Sequence, residues 1–157
     1  MILNNLKIET FKEDYSTNFR SLNLEWIEEY FEVESEDLKI LNDPKGYVID
    51  KGGQIFFAIK DDSIIGTSAM IPIKQGVFEL AKMAVNKTFQ GQGIGRLLMS
   101  ASLNFAKDNN ASDVFLITND KLLPAMELYK SSGFIVDKNY DDNRYRRGNT
   151  KLKLRLN

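Results

Sequence analysis

The 157-residue chain contains no cysteine and no histidine. Without cysteine there can be no disulfide, no thiol nucleophile and no zinc–thiolate site. Without histidine, Ser-His-Asp chemistry and most transition-metal sites are excluded as well. Any general base must therefore be a carboxylate, a lysine, a tyrosine or a relayed water. No apolar run reaches the roughly 18 residues that a transmembrane helix needs. The opening stretch from Met1 to Lys7 lacks the charged n-region and the apolar core of about 7–15 residues that mark a secretory signal. The expectation is a cytoplasmic protein with no metal and no membrane partner.

The length suits one domain over residues 1–157, large enough to bury about 68–70% of its unfolded surface. A net charge of −1 conceals a segregation of sign. Residues 1–50 carry five Lys/Arg and twelve Asp/Glu, residues 51–137 carry nine and eight, and residues 138–157 carry seven and two. An acidic first third could attract a cationic amine, and a basic tail could attract nucleic acid or an acidic cofactor. The plainer alternative is two solvated faces that pair loosely. Arg144, Arg146 and Arg147 lie near Tyr140 and Tyr145, but one short cluster makes no case for RNA.

Hydrophobic spacing predicts the elements. Leu6 to Phe11 alternates as an edge strand, and Phe19, Leu22, Trp26 and Tyr30 recur at helical spacing. A second short helix is expected from about Ser35 to Leu41, closed by Pro44 and Gly46. Ile55 to Lys60 and Ser63 to Ile71 form a hairpin around Asp61 and Asp62, which Pro72 should end. A turn at Gln75 and Gly76 leads into a strand from Val77 to Val85. Ile94, Leu97, Leu98, Ala101 and Phe105 mark one helix face, and Val114 to Ile117 is a short apolar strand buried on both sides. Leu122, Ala125, Met126 and Tyr129 mark a last helix, ended by Gly133, before strands at Phe134 to Val136 and Thr150 to Leu156. The order β-α-α-β-β-β-α-β-α-β-β places the chain in the α/β (α+β) class, with a mixed sheet flanked by helices.

The most informative stretch is the strand Glu79 to Val85 followed by Gln90, Gly91, Gln92, Gly93, Ile94, Gly95 and Arg96. A strand that enters a glycine loop opening a helix presents unpaired N–H groups and a positive dipole end to an anion. Glycines there remove the Cβ atoms that would hold a phosphate away from the backbone. The P-loop pattern G-x-x-x-x-G-K-S/T is absent. The dinucleotide pattern G-x-G-x-x-G would need glycine where Arg96 stands, and Asp113, at about the ribose-binding spacing, opens the next apolar run and so stands at the wrong end of a strand.

The pattern that fits is Q/R-x-x-G-x-G/A, met as Gln90 to Gly95. At these residues the chain resembles the GNAT superfamily of N-acetyltransferases. The likeness continues in Ala125, Leu128, Tyr129, Gly133 and Phe134, which match that superfamily's A-x-x-L-Y-x-x-x-G-F segment. The two motifs cover residues 79 to 135, in the expected order. The resemblance implies a mixed, mostly antiparallel sheet of about seven strands with about four helices. It also implies acetyl-CoA as co-substrate, its pyrophosphate held by N–H groups from Gly91 to Arg96. Gln90, Gln92 and Ile94 complete that loop; the Arg96 side chain either bonds phosphate or lies on the exposed helix face. By the same resemblance, the backbone of Met83, Ala84 and Val85 pairs with the pantetheine arm, and an N–H near Met83 polarises the thioester carbonyl.

Glu79 aligns with the superfamily's glutamate base, and on an unbulged strand it would share a face with Met83. The alternative is an ion pair with Lys82 or with a substrate cation. Tyr129 aligns with the general acid for the departing thiolate; the alternative is a core aromatic. One departure stands out: many members have asparagine three residues before the alanine, contacting the pantetheine arm, where this chain has Leu122. Asn119 is the candidate replacement. The acceptor site is expected along the first helices, with Trp26, Glu28, Glu29, Tyr30 and Glu32 as an acidic-aromatic lining, or else as a solvated face. The resulting expectation is an N-acetyltransferase for a primary amine of a small or amino-acid-like acceptor. Alternatives are acetylation of a protein N-terminus or lysine, which needs an open groove, and a non-catalytic coenzyme A-binding module. A homodimer is left open.

Overall fold

Strand β2 (Gln54–Lys60) shows how this sequence builds a sheet buried on both faces. Ile55, Phe57 and Ile59 pack on one side with Phe19, Ile27 and Leu41, while Phe56 and Ala58 pack on the other with Ile94 and Leu98. Period-two alternation sends neighbouring side chains to opposite faces, so a run apolar at every position needs cover on both. That cover comes from helices α1 (Ser16–Tyr30) and α2 (Ser35–Asn42) on one face. Helices α3 (Ile94–Asp108) and α4 (Leu123–Ser131) cover the other. The computed structural model describes residues 5–141 and 143–156. Met1 to Asn4, part of the stretch weighed above as a signal, lie outside the described residues.

The other strands are β1 (Leu6–Thr10), β3 (Ser63–Lys74), β4 (Val77–Val85), β5 (Asp113–Thr118), β6 (Ile135–Asp137) and β7 (Thr150–Arg155). They form one seven-stranded sheet in the order β1-β2-β3-β4-β5-β7-β6. Only the β4–β5 pair is parallel; all other neighbours are antiparallel. The expected element order is the one found. Among the described residues no helix is long and apolar enough to cross a membrane.

Local chemistry explains the turns. Asp61 and Asp62 both adopt positive φ (48° and 68°), as a tight hairpin whose twist matches its strands requires, and aspartate tolerates that region. Pro72 does not end β3, which runs on to Lys74. By then β3 has lost β2, whose pairing stops at Gln54 opposite Met70. A bulge between Pro72 and Lys74 also adjusts the β4 side, and bulges are where a sheet accepts a residue with no N–H. Single turns at Glu13–Tyr15, Lys45–Ile49 and Lys87–Phe89 had no signal in the hydrophobic spacing.

Candidate active site

Strands β4 and β5 pair over three residues only, Val77 to Glu79 against Asp113 to Phe115. Beyond Glu79 they diverge. Strand β4 continues to Val85 beside β3, and β5 continues to Thr118 beside β7. The divergence opens a crevice with Leu80 to Met83 on one wall and Leu116 to Asn119 on the other.

A bulge re-aims the side chains of the first wall. Ala81 pairs with Ala69 and Ala84 with Thr67, so β4 carries one more residue than β3 between these points. Lys82 takes a positive φ of 54° there. An extra residue reverses the alternation beyond it. Met83 and Val85 consequently join Phe78 and Leu80 on the α3 side, while Ala81 packs toward α1. The common face expected for Glu79 and Met83 on an unbulged strand is therefore not found. Both still border the crevice.

The glycine loop divides into two functions. Gly91 (φ 77°) and Gly93 (φ 88°) hold left-handed backbone, and a Cβ added at either would meet nothing within 4 Å. Their surroundings are open and lined by bare backbone, the condition for a phosphate to reach the amides. Helix α3 starts at Ile94. Leu97 N–H is bonded to Gly93 C=O at 3.2 Å, so the first-turn amides of Ile94, Gly95 and Arg96 precede the intrahelical ladder and point outward. Gly95 serves packing instead: a Cβ there would stand 3.3 Å from Leu128 Cδ2 on α4. Gln90 Nε2 donates to Val85 C=O (3.0 Å), tying loop to strand, and Gln92 Nε2 donates to Thr88 C=O (3.4 Å). Arg96 Nη1 donates to Ser131 Oγ at 3.1 Å. These residues fit a pyrophosphate-bearing group: open space, free amides, a dipole end and one nearby guanidinium.

Glu79 is buried, its side chain 6% exposed, and Lys82 does not hold it. Arg144 does, with Nη1 at 3.1 Å from Oε1 and Nη2 at 2.8 Å from Oε2. Lys82 pairs with Asp37 at 2.6 Å. Tyr129 lines the crevice and also packs edge-on against Phe134, with ring centroids 6.3 Å apart. Burial pushes its phenol up to about 12, although a hydrogen bond with Thr118 works the other way. It stays protonated at neutral pH, as a proton donor must.

Sequence reading missed the roof of the crevice. The described residues of the connector from 138 to 149 form no regular element, yet the connector is fastened on two sides. Asn119 Nδ2 donates to Arg147 C=O (2.8 Å), and Asn149 N–H to Thr118 C=O (3.0 Å). Across the crevice, Glu34 accepts from the Arg146 N–H at 2.7 Å, and Arg147 grips Asp37 with both guanidinium nitrogens. Tyr145 lies between Lys82 and Arg147, each 4.7 Å from its ring centroid. Burial first, then the Asp37 and Glu79 carboxylates, raise its phenol well above the ordinary value. One signal was available, two charges (Glu79 and Lys82) in an otherwise apolar strand, but it named no partner.

The remaining expected residues separate. Trp26 reaches the crevice and packs against Tyr30 with the rings tilted at 53° and their centroids 5.4 Å apart. Glu28 and Glu32 are exposed, Tyr30 is 46% exposed, and Glu29 pairs with Lys87 at 2.9 Å. The acidic-aromatic lining does not form from these residues; Glu79 lines the crevice, while Glu34 and Asp37 meet it through their bonds to Arg147. Asn119 has its amide engaged with Arg147 and with Lys121 N–H (2.9 Å), holding roof and turn together. Leu122 also lines the crevice.

The sequence model of the Acetyltransferase (GNAT) family matches residues 11–134. The chain belongs to the GNAT family. Among curated relatives it is 32% identical over 95 residues to N-acetyltransferase 8B of Rattus norvegicus, covering 57% of this chain and 43% of that protein. The human N-acetyltransferase 8B is likewise 32% identical over 95 residues. The chain spans less than half the length of these relatives. Among solved structures, a GNAT-family acetyltransferase from Staphylococcus aureus superposes with a TM-score of 0.89 at 23% identity, covering 97% of this chain and 99% of that one. A putative acetyltransferase from Salmonella typhimurium, solved with acetyl-CoA, has a TM-score of 0.80 at 14% identity over 98% and 95%. The GNAT fold of this chain thus extends over nearly all of it.

Proposed function

We propose that this protein is an acetyl-CoA-dependent N-acetyltransferase acting on the primary amine of a small or amino-acid-like acceptor. The observation that carries this reading is the divergence of β4 from β5 next to the bare-backbone cradle at Gly91 and Gly93. Acetyl-CoA supplies a pyrophosphate to hold and an activated acetyl group to transfer. The amides from Gly91 to Arg96 hold the pyrophosphate, with Arg96 poised beside them on Ser131. The β4 backbone at Met83 and Ala84 follows the pantetheine arm, and Val85 belongs to the same edge although its carbonyl is taken by Gln90. A Met83 N–H aimed at the thioester carbonyl oxygen would stabilise the negative charge developing there, a role worth roughly 3–4 kcal/mol per donor.

An amine with a pKa of roughly 10 arrives as an ammonium and must lose a proton before it attacks. Glu79 is the group that takes it, once Arg144 has shifted from its oxygens. The amine nitrogen then bonds to the thioester carbon; as the C–S bond breaks, Tyr129 gives its proton to the sulfur and regains one from the nitrogen, which sheds its second proton on becoming an amide. The products are an acetamide and a free thiol, with one proton passing to water from Glu79. The connector roof supports a small acceptor over a polypeptide, which would need an open groove.

Thiol release from acetyl-CoA across a panel of primary amines tests this reading. Turnover on at least one small amine is expected. Thermal stabilisation by coenzyme A with no turnover on any acceptor, including a peptide N-terminus and a peptide lysine, would instead indicate a non-catalytic binding module.

A further inference from the structure

Among the described residues, six charged side chains meet beside the crevice, Glu34, Asp37 and Glu79 against Lys82, Arg144 and Arg147, with Glu79, Lys82 and Arg147 on its lining. They fall into two sets. Asp37 accepts from both Arg147 nitrogens, from Lys82 and from the Glu34 N–H, and Arg147 also reaches Glu34 at 3.3 Å. In that set Asp37 and Lys82 are deeply buried, Arg147 and Glu34 are partly buried, and the charges pair with one another. Glu79 and Arg144 form the other, a two-pronged pair at the point where β4 leaves β5. Its halves differ in setting. The Glu79 side chain is 6% exposed on a rigid strand, whereas that of Arg144 is 35% exposed and rides on the irregular connector.

An amine approaching Glu79 has to displace the guanidinium. A ligand that replaces only that half leaves the guanidinium, 35% exposed, with water in place of the carboxylate it held. An acceptor bearing an amine and a carboxylate close together replaces both halves. Its ammonium takes Glu79, its carboxylate takes the planar fork of Arg144, and the charge balance of the site is kept. We propose that the acceptor carries a carboxylate near its reacting amine, as an amino acid does, and that Arg144 selects it by exchanging Glu79 for that carboxylate. This rests on the N-acetyltransferase reading above. Lys82 and Arg147 do not compete for the carboxylate, because Asp37 holds both.

The test uses the full chain with acetyl-CoA and matched acceptors: free amino acids, their primary amides and the corresponding decarboxylated amines. Thiol release gives kcat/KM, and calorimetric titration with coenzyme A present gives binding independently of turnover. The free acids are expected to exceed their amides by about 10- to 100-fold, the worth of a charge-assisted hydrogen-bonded contact. Arg144→Gln should bring acid and amide level, and Arg144→Lys, which keeps the charge but loses the fork, should retain part of the preference. Stabilisation by coenzyme A identifies variants that still fold. Equal use of acids and plain amines, or a preference that survives Arg144→Gln, overturns the proposal and leaves the acetyltransferase reading standing. Selective binding of acids without thiol release supports the proposal and overturns the catalytic reading. No binding and no turnover for any member overturns both.

Discussion

Replacing Asp37 by asparagine asks whether the buried ion cluster holds the connector over the crevice. The carboxylate is fully buried and accepts four bonds, from Arg147 Nη1 (2.7 Å) and Nη2 (2.5 Å), Lys82 Nζ (2.6 Å) and Glu34 N–H (2.8 Å). Asparagine keeps the size, removes the charge and turns one acceptor into a donor facing two other donors, Arg147 among them. Removing one partner of a buried ion pair typically costs about 3–5 kcal/mol, because the surviving charge stays desolvated. Arg147 keeps Glu34 at 3.3 Å, so the lower half of that range is expected. At roughly 2–4 °C per kcal/mol for a domain of this size, Tm should fall by about 6–16 °C.

Acid titration gives a second signature. Burial pushes the Asp37 carboxyl up, but Arg147 and Lys82 outweigh it and hold it at about 2, below its ordinary 3.8. A carboxyl lowered on folding contributes stability that is fully present above the unfolded value and lost as pH falls through the folded one. At 1.36 kcal/mol per unit this amounts to about 2 kcal/mol, lost between roughly pH 4 and pH 2. Wild type should show that acid-side component and Asp37→Asn should lack it. Thermal unfolding at pH 7, denaturant unfolding from pH 5 downward, and proteolysis at the connector measure the three consequences. A Tm within about 2 °C of wild type, or an identical acid-side slope, would refute the reasoning.

The remaining expectations concern the site itself. Glu79→Gln should lower kcat by about 10²- to 10⁴-fold and remove the acidic limb of the pH–rate profile, and an unchanged profile would rule Glu79 out as base. Tyr129→Phe should lower kcat; survival within about twofold would mean that the ring only packs against Phe134. Gly91→Ala and Gly93→Ala place a Cβ in open space at positive φ, at a strain of about 1–2 kcal/mol each, and should raise the KM for acetyl-CoA more than they lower kcat. Gly95→Ala should differ, lowering Tm by crowding Leu128 while leaving that KM closer to wild type.

Much of the architecture was legible because local rules and tertiary demands agree here. The runs Gln54–Lys60 and Val77–Val85 are apolar enough to require cover on both faces, and the helices supply it at matching intervals. The glycine loop was legible as a strand-to-helix turn, but its three glycines looked alike; distinguishing Gly95 required knowing that Leu128 stands over it. The bulge at Lys82 had no local mark, since nothing in that residue type asks for positive φ. It arises from the mismatch between β3 and β4, and it reverses the face assignment of Met83.

By itself, then, the sequence determined the element order, the mixed sheet and the glycine turn that opens a helix. These follow from hydrophobic period, turn chemistry and backbone freedom, which act over a few residues. Charge pairing does not act at that range. Arg147 meets Asp37 across 110 residues, and Arg144 meets Glu79 across 65. A polar, arginine-rich connector reads as a solvated face until the fold brings buried carboxylates to it. Only the tertiary structure could decide that this segment roofs the crevice, because a desolvated charge takes whichever partner the fold delivers.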